Sequence, residues 1–175
     1  MALPKNNGFE ITEHGRYKTV TGYAVTAMAG LAIGALVNKA NPSLKEGDLK
    51  KADLDEAFCL LNPVVSRATF DAGFKERLFY DDVIKPVVAN EKMPVTAHQP
   101  ERCEVEDVDS LIDLATTNYK FAGTEDPGTP VTAKGGKYAI AQSGDLSTFV
   151  LEKVGAAKAG GNFRLHLRRM VQIVP

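Results

Sequence analysis

The sequence contains no tryptophan, and aromatic residues make up only 7% of its 175 residues. A sugar-stacking site, or a platform on which nucleic-acid bases stack, is therefore poorly supplied. The two cysteines, Cys59 and Cys103, stand far apart with no paired spacing. That excludes a zinc ribbon or finger. Two readings stay open for them: one disulfide, or two free thiols in a reducing compartment. Neither sign of charge is in excess, with 21 basic against 22 acidic residues and a net charge of −1. No overall basic field argues for nucleic acid.

Long hydrophobic runs are also scarce. The uncharged stretch from Tyr23 to Val37, YAVTAMAGLAIGALV, is shorter than the roughly 20 residues a spanning helix needs. Gly30 and Gly34 give it a G-x-x-x-G spacing, which in a longer apolar helix would suggest dimerisation. A buried or subunit-facing segment is the expectation. The residues at the amino terminus show no basic-then-apolar signal pattern.

Catalytic signatures are missing as well. There is no G-x-S-x-G, Walker loop, H-E-x-x-H or Rossmann glycine pattern. His14, His98 and His166 are scattered, and cationic neighbours make His166 a poor proton acceptor. Lys134-Gly-Gly-Lys137 resembles part of a phosphate loop, but no Ser/Thr and helix follow it. A thiol enzyme using Cys59 or Cys103, or a cation held by the acidic segment, has no local support. No catalytic, cofactor-binding or metal-binding residue is assigned, and the expectation is a protein that is not an enzyme.

What is present is an ordinary globular composition, 44% hydrophobic and 25% charged, with 15 Gly and 9 Pro. This suits one turn-rich domain over residues 17–175 behind an extended arm over 1–16. From Arg16 the run RYKTVTGYAV reads as a strand, with Tyr17, Thr19, Thr21, Tyr23 and Val25 on one face. Residues 47–61 read as a helix, because Leu54, Ala57, Phe58 and Leu61 fall at i, i+3, i+4 and i+7. A short strand over 57–61 is the alternative. Between 101 and 126 lies an acidic segment in which Val108, Leu111, Ile112 and Ala115 form a helical stripe.

The clearest local signal is a β-hairpin over 131–140 with a Gly135-Gly136 turn. It pairs Lys134 with Lys137, Ala133 with Tyr138, Thr132 with Ala139 and Val131 with Ile140. Ser143-Gly144-Asp145 makes a second turn, a strand resumes over 148–154, and a long strand closes the chain over 163–174. On that last strand Phe163, Leu165, Leu167, Val171 and Ile173 share one face, interrupted by Arg169, while Arg164, His166, Arg168 and Gln172 share the other. The fold class expected is mainly β, a small β-barrel or β-sandwich with one or two short helices. Its barrel-like part is expected over about 123–175.

Charge is segregated along the chain. Residues 44–126 hold 18 acids and 10 bases, whereas residues 127–175 hold 2 acids and 7 bases. Such a chain can form head-to-tail contacts between copies, or can bring its own two regions together on folding.

The runs Gly128-Thr-Pro-Val131, Gly136-Lys-Tyr138-Ala-Ile-Ala141, Gly144-Asp145 and Phe149-Val-Leu-Glu152 resemble the decoration (cement) proteins of tailed-bacteriophage heads. The likeness spans about residues 123–154. It implies a virion structural protein made in the bacterial host cytoplasm and bound to the capsid surface. The implied partners are the major capsid protein and neighbouring copies of the chain, with a trimer as one arrangement and no membrane or nucleic-acid partner. The residues expected to contact acidic capsid patches are Lys134 and Lys137 on the hairpin turn and Arg164 and Arg168 on the last strand. A tail or baseplate component, or a small ligand-binding barrel, are the alternative functions.

Overall fold

The computed structural model describes residues 8–14, 18–74, 86–106, 111–112, 121–157 and 163–175. Their architecture is mainly β, as the composition and alternation lead one to expect. A closed five-stranded barrel packs against a six-stranded sheet.

The barrel strands are β2 (Thr19–Ala24), β3 (Leu36–Lys39), β4 (Asp48–Lys51), β5 (Phe58–Leu60) and β8 (Pro94–His98). Their order around the barrel is β2-β4-β3-β5-β8, with β2 and β4 parallel and every other pair antiparallel. The registers put Val20, Ala24, Val37, Leu49, Leu60, Val95 and Ala97 on one face of these strands, and all of them are buried. That face fills the barrel interior, as side chains do in a barrel this small. Leu36 and Cys59 lie on the opposite face and are equally buried, because the six-stranded sheet covers that side.

The sheet has the order β1-β9-β13-β12-β10-β11 and is antiparallel throughout. Its strands are β1 (Phe9–Glu13), β9 (Arg102–Glu106), β10 (Pro130–Lys134), β11 (Lys137–Ile140), β12 (Leu146–Val154) and β13 (Arg164–Ile173). Phe9, Cys103, Val105, Leu165 and Leu167 share its inner face. The remaining elements are small. A 3-10 turn spans Thr26–Met28, and β6 (Val64–Val65) pairs in parallel with β7 (Val87–Val88). A single helical turn, α1 (Arg67–Thr69), runs into a π turn over Phe70–Phe74. Ser66 caps α1 by accepting a hydrogen bond from Thr69 N at 3.1 Å.

Several expectations need correction. Residues 47–61 contain β4 and β5, not a helix. The apparent helical stripe arises because β5 is buried on both faces, while Leu54 is 41% exposed with φ at 55°. The strand alternative for this segment is the correct one. The closed barrel is built from residues 19–98 and not from the carboxy-terminal third, whose strands belong to the open sheet. The expected arm includes a strand, since Phe9–Glu13 pairs with β9. Residues 1–7 and 15–16 of that arm lie outside the described residues. So does most of the expected 108–115 helix; of its stripe, Leu111 and Ile112 are described, both buried, with Ile112 bridged to Tyr138.

The hairpin has the register expected, pair for pair. Its tip is docked and not free. Gly136 donates to Ala52 O at 2.9 Å and accepts from Leu36 N at 2.8 Å, and Leu54 N donates to Ala133 O at 2.9 Å. The stretch from Leu31 to Val37 is buried within the chain. At Gly34, with φ at +88°, an added Cβ would fall 2.5 Å from Phe9 Cγ. The close approach is therefore made at Gly34 and inside one molecule, while a Cβ at Gly30 would meet nothing within 4 Å. No helix among the described residues is long and apolar enough to cross a membrane.

Candidate interaction surface

The outer face of the sheet carries the charge that the sequence segregates. Register sets Arg164 of β13 opposite Glu106 of β9, and His166 opposite Glu104. Arg164 reaches Glu104 at 2.9 Å and Glu106 at 3.1 Å, and the His166 imidazole lies 2.8 Å from Glu104. The hydrogen bond that Arg164 donates to Glu104, joined by the one to Glu106, holds the guanidinium above its ordinary value against the opposing effect of burial. Burial acts to raise the Glu104 carboxyl. The hydrogen bonds and charges of Arg164 and His166 outweigh it and leave the group below the usual carboxylate range.

The register also sets the like charges of Arg168 and Arg102 opposite each other. Glu152, at the bulge of β12, separates them. It accepts from Arg102 Nε at 3.0 Å and lies 3.3 Å from Arg168 Nε. Arg102 also pairs with Glu13 of β1. At the next position Arg169 N donates to Glu101 O at 2.8 Å, and its guanidinium meets the Glu101 carboxylate at 3.0 Å. A cleft of about 230 Å³ on this face is lined by Thr12, Arg102, Glu104, Glu152, Lys153 and His166.

The four residues expected to contact a partner are thus placed differently from one another. Arg164 is mostly buried, with its side chain 26% exposed, and is committed to in-chain acids. Arg168 is 42% exposed and shares Glu152. Lys134 is half-buried and lies 3.7 Å from Asp145 of the following turn. Lys137 is half-buried beside the docked hairpin tip. The acidic middle and the basic carboxy-terminal strand meet each other through folding. The acids that complete this network, Glu101, Glu104 and Glu106, belong to the acidic segment that begins at residue 101. The alternation Arg102-Cys103-Glu104-Val105-Glu106 was the signal that they belong to a half-buried strand.

A different surface is left without cover. Among the described residues the exposed large hydrophobics are Leu44, Leu54, Met170, Val171 and Ile173, and three of these five cluster at the end of β13. Met170 is 40%, Val171 42% and Ile173 63% exposed. On one edge this segment is held by β12, with Leu146 opposite Ile173, and by the 143–145 turn, where Gly144 N donates to Val174 O at 2.9 Å. On the other edge β9 ends at Arg102, and among the described residues no strand pairs with 170–173 there. The sequence pattern assigned Val171 and Ile173 to the apolar face continuing from Leu167. The register corrects this: a bulge in β13 between Arg169 and Gln172 sets Gln172 opposite Ser147 and Ile173 opposite Leu146, so Ile173 leaves the Leu167 face, and among the described residues nothing pairs with this segment beyond the end of β9.

Compared with protein-family models, with curated proteins and with solved structures, the chain gives no match.

Proposed function

We propose that this protein is a virion structural protein that decorates the outside of an assembled phage capsid and stabilises it by bridging capsid subunits. The observation that carries the reading is the uncovered end of β13. Among the described residues no strand pairs with one edge of 170–173, and Met170, Val171 and Ile173 are exposed there. An open edge with apolar side chains is a template for pairing with another chain, and folded proteins usually blunt such edges. The likeness of residues 123–154 to decoration proteins supports the same reading.

The size of the patch bears on the mechanism. Three half-exposed side chains fall well short of the roughly 800 Å² per partner of a stable one-to-one interface. A contact this small is weak alone and gains strength when repeated over a symmetric lattice. The partner-contacting role first expected of Arg164 passes, in this reading, to the end of the same strand. Arg168, half-exposed beside it, stays available to steer the approach of an acidic partner.

The test is mass spectrometry of virions purified from the strain that encodes the chain, followed by heating of particles with and without it. The protein is expected in the particles at a fixed ratio to the capsid subunit, and particles lacking it are expected to open at lower temperature. Its absence from purified virions would overturn the proposal.

A further inference from the structure

The cleft of about 230 Å³ on the outer face of the sheet spans four strands, β1, β9, β13 and β12. Two β-bulges shape it. The β1–β9 register passes from Ile11 opposite Cys103 to Glu13 opposite Arg102, so Thr12 is the extra residue. The β12–β13 register passes from Leu151 opposite Leu167 to Lys153 opposite His166, so Glu152 is the extra residue. A bulge re-aims the side chain of its unpaired residue, and both Thr12 and Glu152 line the cleft. Between them stand Arg102 and Glu104 of β9, His166 of β13 and Lys153 of β12. The floor is the Cys103–Leu167 pair, which is buried. Cys103, a free thiol like Cys59, takes no part.

The charges of this lining balance. Glu104 and Glu152 supply two carboxylates, and Arg102 and Lys153 two cations. Most are engaged: Glu104 meets Arg164 at 2.9 Å and His166 Nδ1 at 2.8 Å, and Glu152 accepts from Arg102 Nε at 3.0 Å. Three groups keep capacity for a ligand. The Lys153 ammonium is exposed and makes no ion pair with any described residue. The Thr12 side chain is exposed. The third is His166 Nε2, the nitrogen not turned to Glu104. Gly155 leaves room beside it, since an added Cβ would fall 3.4 Å from Nε2.

We propose that this cleft binds a small zwitterion of amino-acid size, with its carboxylate on Lys153 and its ammonium on Glu104 and Thr12. A lone anion would enter beside two carboxylates, and a lone cation beside Arg102 and Lys153. A molecule carrying both charges sets each against its opposite, so neither end is desolvated without a partner. An ionised carboxylate has about four lone-pair sites, so Glu104 accepts from an ammonium without releasing Arg164. The flexible stem of Lys153 lets its charge follow the bound carboxylate. The volume is that of roughly seven or eight molecules of liquid water, which a small amino acid displaces. The proposal is independent of the virion reading, because it rests on the middle of β13 and not on its end.

The test titrates the full chain with L-alanine and with L-serine and follows the backbone amides and the His166 imidazole by NMR. Saturable shifts are expected at Thr12, Lys153 and His166, half-complete near ~1 mM for so few contacting atoms. Acetate and methylamine, which carry one charge each, are expected to bind at least ~10-fold more weakly. Lys153→Met is expected to weaken binding at least ~10-fold. Its unfolding midpoint is expected to stay that of the parent, because the side chain is exposed and outside the ion-pair network. No saturable shift up to ~50 mM amino acid would overturn the proposal. So would acetate or methylamine binding as tightly as the amino acids, which makes the cleft a single-charge site. A folded Lys153→Met that binds as the parent does would also overturn it.

Discussion

Replacing Tyr138 by Phe removes one oxygen atom from the place where the hairpin meets the barrel. Tyr138 is fully buried, and its ring packs 6.2 Å from that of Phe149. The substitution keeps the ring contact and deletes the hydrogen bond to Gly34 O. Gly34 is itself buried, so its carbonyl loses a partner that water cannot readily replace. A buried group left unsatisfied costs about 1–3 kcal/mol. The Cys59 thiol loses its neighbour at the same time, which favours the upper half of that range. For a chain of this length each kcal/mol moves the melting midpoint by roughly 2–4 °C, so the expected fall is about 4–12 °C. The assay is urea unfolding followed by far-UV circular dichroism, with Tyr138→Leu as a comparison that also removes the ring packing and costs more. A Tyr138→Phe variant within about 0.3 kcal/mol of the parent would refute the docked hairpin, since a tip free in solvent loses nothing of that size.

Three further outcomes follow from the packing and the charge network. Gly22→Ala would set a Cβ 2.3 Å from Gly47 O and is expected to cost at least ~2 kcal/mol by urea unfolding. Gly144→Ala, with open space around it, is expected to cost only the ~1 kcal/mol of its left-handed backbone. Arg164→Ala leaves Glu104 and Glu106, side by side on β9, without their shared cation and is expected to cost about 1–3 kcal/mol. Arg168→Ala, at a more exposed position, is expected to change stability by less than ~0.5 kcal/mol; equal losses from the two would count against the network. Because the folded Glu104 carboxyl lies below its unfolded value, its contribution is complete above about pH 4.3 and is lost as the pH falls through the lower folded value. Glu104→Gln is expected to flatten the stability profile in that acid window, and an unchanged slope would contradict the assignment.

How much of this was legible in the sequence depends on how local each signal is. The hairpin at 131–140 was readable in full, because its turn glycines and its alternation fix the same register. The last strand was readable for the same reason up to Leu167. Beyond that residue a bulge between Arg169 and Gln172 switches the face of Ile173, and β9 ends at Arg102; neither the bulge nor the end of β9 is visible in the alternation. Residues 54–61 misled, because a strand buried on both faces loses its period of two and can imitate a helical stripe. The closure of the barrel from residues 19–98 was not readable, since it rests on pairings between segments such as Thr19–Ala24 and Pro94–His98 that are distant in the chain. The charge segregation was plain in the sequence. Its two explanations were separated only by register, which sets Arg164 and His166 against Glu106 and Glu104.

The central claim is that the open end of β13 is the edge that meets the capsid. Its most direct measurement is the occupancy of purified capsids by Val171→Asp and Ile173→Asp compared with the parent chain. Both positions are already exposed, so unfolding midpoints are expected to stay within about 0.5 kcal/mol of the parent. A charge on the docking edge is expected to lower capsid occupancy at least ~10-fold, about 1.4 kcal/mol per site. Folded variants that fill the capsid as the parent does would contradict the account.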